Sequence, residues 1–185
     1  MKTEETIDPV DGVQLLRSYL LHCRFVRRGI ERVRRELSER AEAHDDSKLM
    51  SDEFAGFSRI NAAARLHPYG SEKYRAGLRQ EKTTIDLHYS RNSHHPEFYG
   101  SDKEDIQDHD IRLTPSSGKP RAEHMTWLDL IEMVCDWRGA YLGYGSQGSW
   151  EDNMERQHKR YQGWFTNEQW WLIDQVASFV ASEVR

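Results

Sequence analysis

The sequence has little of what staples small secreted proteins and nothing that would cross a membrane. Among 185 residues there are only two cysteines, Cys23 and Cys135, each in a segment with helical apolar spacing. They read as reduced core thiols of a cytoplasmic protein and leave no disulfide framework. No stretch approaches the about 18 consecutive apolar residues of a membrane span, and the start, MKTEETIDPV, is acidic and lacks an apolar targeting segment. The period-two alternation of strands is missing too. Nor is one sign of charge in excess. The 26 basic and 31 acidic side chains are intermixed and sum to −5, which does not point to nucleic acid as a partner.

What is present is helical periodicity. Apolar residues recur at three-and-four spacing from Val13 through Leu16, Leu20, Cys23, Val26, Ile30 and Val33 to Leu37. The same spacing returns at Trp127, Leu130, Ile131 and Val134, and again from Trp170 to Val180, where Thr166 and Gln169 fit a capping box. The chain therefore reads as one all-α domain over residues 1–185, of a size that buries roughly 70% of its unfolded surface. Long loops are expected at about 98–124 and 139–152, where Gly, Ser, Asp and Pro gather. The arginines between Arg24 and Arg35 read as a solvated face offset by Glu31, Glu36 and Glu39. Trp164, Trp170 and Trp171 fit either a core or the face of a homodimer.

Histidines and carboxylates fall in short clusters. HDDSKL begins at His44, HYSRNSHHPE runs from His88 to Glu97, and DLIEMVCDW runs from Asp129 to Trp137. Imidazoles and carboxylates are the ligands of borderline and hard divalent metals. Asp129, Glu132 and Asp136 share one helix face away from Leu130, Ile131 and Val134. His88, Asn92 and His95 are in phase if their segment is helical, and Pro96 would end that helix just after His95.

A His, then His-Asp, further His and a distal Asp is an order that resembles the HD superfamily of metal-dependent phosphohydrolases. The HD-GYP subgroup is similar in detail, with a lysine after the His-Asp pair and a His-His-Glu element. Lys48 and His94-His95-Pro96-Glu97 echo these, although Phe98-Tyr99-Gly100 stands where Gly-Tyr-Pro would follow. The chain also resembles a small, poorly characterised group of bacterial and phage HD-like proteins through HDDSKL, YGSEKYRAGL, HYSRNSHHPEFY and LDLIEMVCDW. The resemblance implies an all-α bundle with the metal at its centre. It implies His44, Asp45, His88, His94 or His95, and Asp136 as ligands of one or two divalent ions (Mn, Mg, Co, Zn or Fe), with His22 as a further ligand.

The His22 assignment carries a geometric condition. In one straight helix His22 and His44 would be roughly 33 Å apart at about 1.5 Å per residue, so it requires a turn near Arg28 to Ile30, where Gly29 is the breaker.

The expected activity is hydrolysis of a small phosphate ester, a nucleotide as the favoured substrate, by metal-activated hydroxide. Lys48 and Arg138 would hold the phosphate. Asp46, Glu97 and Glu132 are candidates to orient a ligand histidine or shuttle a proton. Tyr89, Tyr99, Trp137, Tyr141 and Tyr144 are candidates to stack a base. Two alternatives stay open: an HD-fold di-iron oxygenase, with His67 as an extra ligand, and a non-catalytic nucleotide- or metal-binding protein with Asp102–Asp110 as a partner surface.

Overall fold

The computed structural model describes residues 9–67, 71–99, 122–144 and 148–182. Every regular element among them is helical, so the fold is all-α, and none of these helices is long and apolar enough to cross a membrane. The chain divides into two units, Met1–Ala43 and His44–Arg185.

The described residues of the first unit form a single helix, α1, Pro9–Ala43. The turn expected near Gly29 does not form. A lone glycine costs a helix only about 1 kcal/mol relative to alanine, and the arginines, glutamates and leucines around it are good helix formers. A Cβ built at Gly29 meets nothing within 4 Å, so no packing demands glycine there either. His22 is thereby set back from the helix's C-terminal end by roughly 32 Å of helical rise, the turn that its ligand role requires is absent, and it belongs to none of the donor groups described below. Arg34 pairs with Glu31 and Arg40 with Glu36 along the helix, the solvated pairing expected of the basic run. Cys23 is exposed and so is Cys135 in the second unit, which corrects their reading as core thiols.

The second unit opens with a short 3-10 turn, Asp46–Leu49. Helices α2 (Phe54–Leu66), α3 (Glu72–Gln80) and α4 (Lys82–Arg91) follow, and then a second 3-10 turn, Pro96–Tyr99. Helices α5 (Trp127–Gly143), α6 (Trp150–Arg160) and α7 (Asn167–Ala181) complete it. Thr126, Ser149 and Thr166 cap the last three through reciprocal capping boxes with Asp129, Asp152 and Gln169. The Thr166–Gln169 box is the one expected from sequence. Much of the loop expected at 98–124 lies outside the described residues, as does Asp102–Asp110. The loop expected at 139–152 is shorter, because α5 continues to Gly143 and α6 starts at Trp150.

The core lies among these last three helices. Leu130, Met133, Val134 and Trp137 of α5 are buried with Trp150 and Met154 of α6 and Ile173 and Ala177 of α7. The Trp150 indole donates to the Ala177 carbonyl at 3.0 Å, so this large ring is buried with its one polar atom satisfied. The three tryptophans left open by the sequence separate: Trp164 is core, Trp170 stacks on His158 at the core's edge, and Trp171 is exposed.

Helix α2 meets α4 at Gly56. A Cβ there would run into the Thr84 side chain, including its Cβ at 2.7 Å, so the contact closes only around a hydrogen. Gly56→Ala is expected to cost about 1–3 kcal/mol through overpacking, read as a lower urea midpoint. An unchanged midpoint would show that the two helices do not approach this closely.

Candidate metal centre

Three chain segments of the second unit supply the clustered histidines and carboxylates. The first is the stretch that follows α1. Asp45 adopts a left-handed backbone, φ 60° and ψ 15°, the one positive φ of a non-glycine among the described residues. Asp is one of the few side chains that tolerate this region, and such conformations concentrate at functional sites. The second segment is the end of α4 and the turn after it. Helix α4 stops at Arg91, four residues earlier than the expected stop after His95, and the Asn92 side chain takes over by donating to the His88 carbonyl at 2.7 Å. His94 and His95 thus leave the helix, and both reach the cluster. The third is α5, which presents Glu132 and Asp136, one turn apart, on a single face. Asp129 is not with them. It is buried at the helix start, accepting from Ser93, Tyr99 and Thr126.

The rings are oriented from behind. Glu132 Oε1 lies 3.0 Å from His44 Nδ1 and 3.1 Å from His94 Nδ1. An ionised carboxylate only accepts, so both Nδ1 atoms carry a proton, and the Nε2 atoms are the nitrogens that the rings turn to the cluster. These point forward: His44 Nε2 is 3.4 Å from Asp45 Oδ2 and 3.5 Å from Asp136 Oδ1, and His94 Nε2 is 3.5 Å from Asp45 Oδ1. His88 is handled the same way by a different carboxylate. Its Nδ1 lies 3.1 Å from Glu53 Oε2 and 2.9 Å from Ser47 Oγ, while its Nε2 faces Asp45 Oδ1 at 3.1 Å and His95 Nε2 at 3.0 Å.

The donors fall into four overlapping groups, each with its ligand atoms within 4.8 Å of one another: His44, His94 and Glu132; Asp45, His88 and His95; His94, His95 and Asp136; and His44, Asp45 and Asp136. Asp45 Oδ1 and His94 Nε2 are buried and have no hydrogen-bond partner. Buried polar atoms are nearly always satisfied, so two unsatisfied ligand atoms aimed at one region fit a cation. The donor chemistry fits as well: neutral imidazole nitrogen with carboxylate oxygen suits a borderline divalent ion.

Electrostatics agree with that fit. The Asp136 and then the Glu132 carboxylates push the His44 imidazole up to about 10. Burial works against ionisation of Asp45, but His88, His94 and the Lys48 ammonium hold its carboxyl well below the ordinary range. Burial, followed by the charges of His94 and His88, drives His95 well below its usual value, which leaves it neutral and able to ligate. Protons here balance the charge that a divalent cation would otherwise balance.

The remaining candidates scatter. Lys48 pairs with Asp45 Oδ2 at the cluster's edge, with its ammonium 5.0 Å over the Phe57 ring. Asp46 is exposed. Glu97 is buried away from the four groups, accepting from Tyr161 at 3.0 Å and Arg160 at 3.3 Å. Arg138 stacks over Tyr141 and Trp150 in the packing of α5 on α6, so the phosphate role expected of it has no support in its contacts. His67 follows the end of α2 and belongs to none of the four groups. Of the five candidate base-stacking rings, Tyr89 alone is seen against the cluster, 4.6 Å from the His95 ring. Tyr99 bonds Asp129, Trp137 stacks on Tyr161, Tyr141 donates to Gly148, and Tyr144 is exposed.

Sequence reasoning passed over Ser47, Glu53 and Arg91. The signal available was a serine inside HDDSKL followed six residues later by a glutamate, which local spacing alone does not connect to a histidine at position 88.

Residues 13–184 match the sequence model of a family described as a family of unknown function, DUF5662. The match spans nearly the whole chain, which therefore belongs to that family. No curated protein and no solved structure matches it.

Because one Glu132 oxygen serves two rings, Glu132→Gln is expected to weaken Mn²⁺ or Zn²⁺ binding by about 10–100-fold, the usual cost of losing a group that orients a ligand. Isothermal titration against wild type measures it, and equal affinities would remove Glu132 from this role.

Proposed function

We propose that this member of the DUF5662 family is a metal-dependent phosphohydrolase of the HD type, acting on a small phosphate ester, with a nucleotide as the favoured substrate. The observation that carries the proposal is the convergence of His44, His88 and His94 Nε2 on the Asp45 carboxylate, with His95 and Asp136 beside them. The motif order that resembles the HD superfamily supports the same reading.

His44, Asp45, His88, His94, His95 and Asp136 would hold one or two divalent ions. A divalent ion bound there supplies an activated water near neutral pH and offsets the charge of phosphoryl oxygens. The chain's own residues do the rest. Glu132 keeps the His44 and His94 rings in the tautomer that ligates. The Lys48 ammonium, already at the cluster through Asp45, meets a phosphate oxygen as a point charge. Arg160 takes the part expected of Arg138: it is one-third exposed, paired with Glu97, and its charge acts on Tyr89, whose ring lies against His95. Tyr89, beside His95, would meet the non-reacting part of a substrate.

Asp45→Asn tests the reading with the backbone spared, since asparagine tolerates the left-handed region as well as aspartate does. Wild type reconstituted with Mn²⁺, Co²⁺, Zn²⁺ or Fe²⁺ is expected to retain about one or two ions per chain and to release phosphate from some nucleotide. Asp45→Asn, with an unchanged circular dichroism spectrum, is expected to lose the metal and the activity together. Wild type that stays empty after reconstitution would overturn the proposal. Metal retention without phosphate release across nucleotides and simple phosphate esters would keep the site and reject the hydrolysis.

A further inference from the structure

Glu53, the carboxylate behind His88, is fully buried, at 0% exposure, where α2 begins. A carboxylate in that position is costly unless donors surround it. Three do. Ser47 Oγ donates to Oε2 at 2.9 Å, His88 Nδ1 lies 3.1 Å from the same oxygen, and Arg91 Nη1 donates to Oε1 at 2.8 Å. Arg91 is in turn held from outside by Asp52, at 2.6 and 3.0 Å. The Asn92 amide completes the frame by donating to Ser47 Oγ at 2.9 Å.

An ionised carboxylate only accepts, so Glu53 sets the direction of the donors around it. The Ser47 hydroxyl hydrogen goes to Glu53, so Ser47 Oγ can only accept from its other neighbours. Asn92 Nδ2 carries hydrogens and donates. It also lies 3.0 Å from His88 Nδ1. Glu53 Oε2 can only accept, so Nδ1 is the nitrogen that keeps a proton against it, and Nε2, facing Asp45 and His95, is the nitrogen left for a cation. A buried ion pair adds little net stability over apolar packing of the same volume. What the Arg91–Glu53 pair supplies, and apolar packing would not, is a fixed anionic acceptor behind one imidazole.

We propose that Glu53, clamped by Arg91 and Ser47, is the positioning residue for the half of the cluster formed by Asp45, His88 and His95, and sets its affinity for a divalent cation. The inference rests on the metal-centre reading and deepens it. Glu53 acts there as Glu132 acts behind His44 and His94, so each half has its own carboxylate and can be weakened separately.

The test uses Co²⁺ alone, with the full chain, and reads affinity by titration and geometry by the visible absorption of the bound ion. Glu53→Gln is expected to bind Co²⁺ about 10–100-fold more weakly and with an altered spectrum. In a His88→Gln background, adding Glu53→Gln is expected to change neither reading further, because the ring it positions is gone. A merely structural role would lower affinity equally in both backgrounds, and that result would overturn the proposal, as would unchanged affinity and spectrum in Glu53→Gln. Should Glu53→Gln fail to fold, Arg91→Gln, at a partly exposed position, replaces it with an expected loss of several-fold and the same dependence on His88. Wild type that binds no Co²⁺ would instead sink the metal-centre reading, an outcome distinct from either.

Discussion

Which nitrogen an imidazole turns to its neighbours depends on what holds the other one, and in this protein that duty falls on the fully buried Glu53 and the half-buried Glu132. With Glu132 behind His44 and His94 and Glu53 behind His88, three Nε2 atoms are turned toward one carboxylate, Asp45. The rest of the arrangement follows from this constraint. Helix α4 has to stop at Arg91, because His94 and His95 could not both face His44 and His88 from consecutive positions of a continuous helix, where successive side chains diverge by about 100°. Asp45 has to take an unusual backbone conformation so that its two oxygens address residues from different elements.

Much of this was legible in the sequence, and the boundary of legibility is physical. The helices around Trp127 and Trp170 were readable because one-sided burial imposes a period on the chain, and the Thr166 cap because its partner lies three residues away. The clustered histidines and carboxylates were readable because few residue types carry that chemistry. Glu53 was not, since nothing local ties a glutamate to a histidine 35 positions later. Arg138 misled because a cation beside Asp136 and Trp137 looks available until its helical phase is known, and that phase turns it onto Trp150. The turn at Gly29 misled for the opposite reason. A breaker was required by the geometry assumed for His22, while the surrounding propensities outweighed one glycine.

Helix α5 belongs to the core and to the cluster at once. Leu130, Met133, Val134 and Trp137 pack inward against α6 and α7, while Glu132 and Asp136 look the other way into the histidines. The helix is thus a shared wall, and its angular setting is a single variable that two sets of contacts must agree on. A rotation of about 20° about its axis would move a carboxylate lying roughly 6 Å from that axis by roughly 2 Å. That is more than a coordination shell tolerates. Apolar substitutions in the tryptophan-rich core that leave the fold intact therefore act on the cluster as gears act on a dial, and enlarging or shrinking a buried side chain there retunes ligand spacing without touching a ligand.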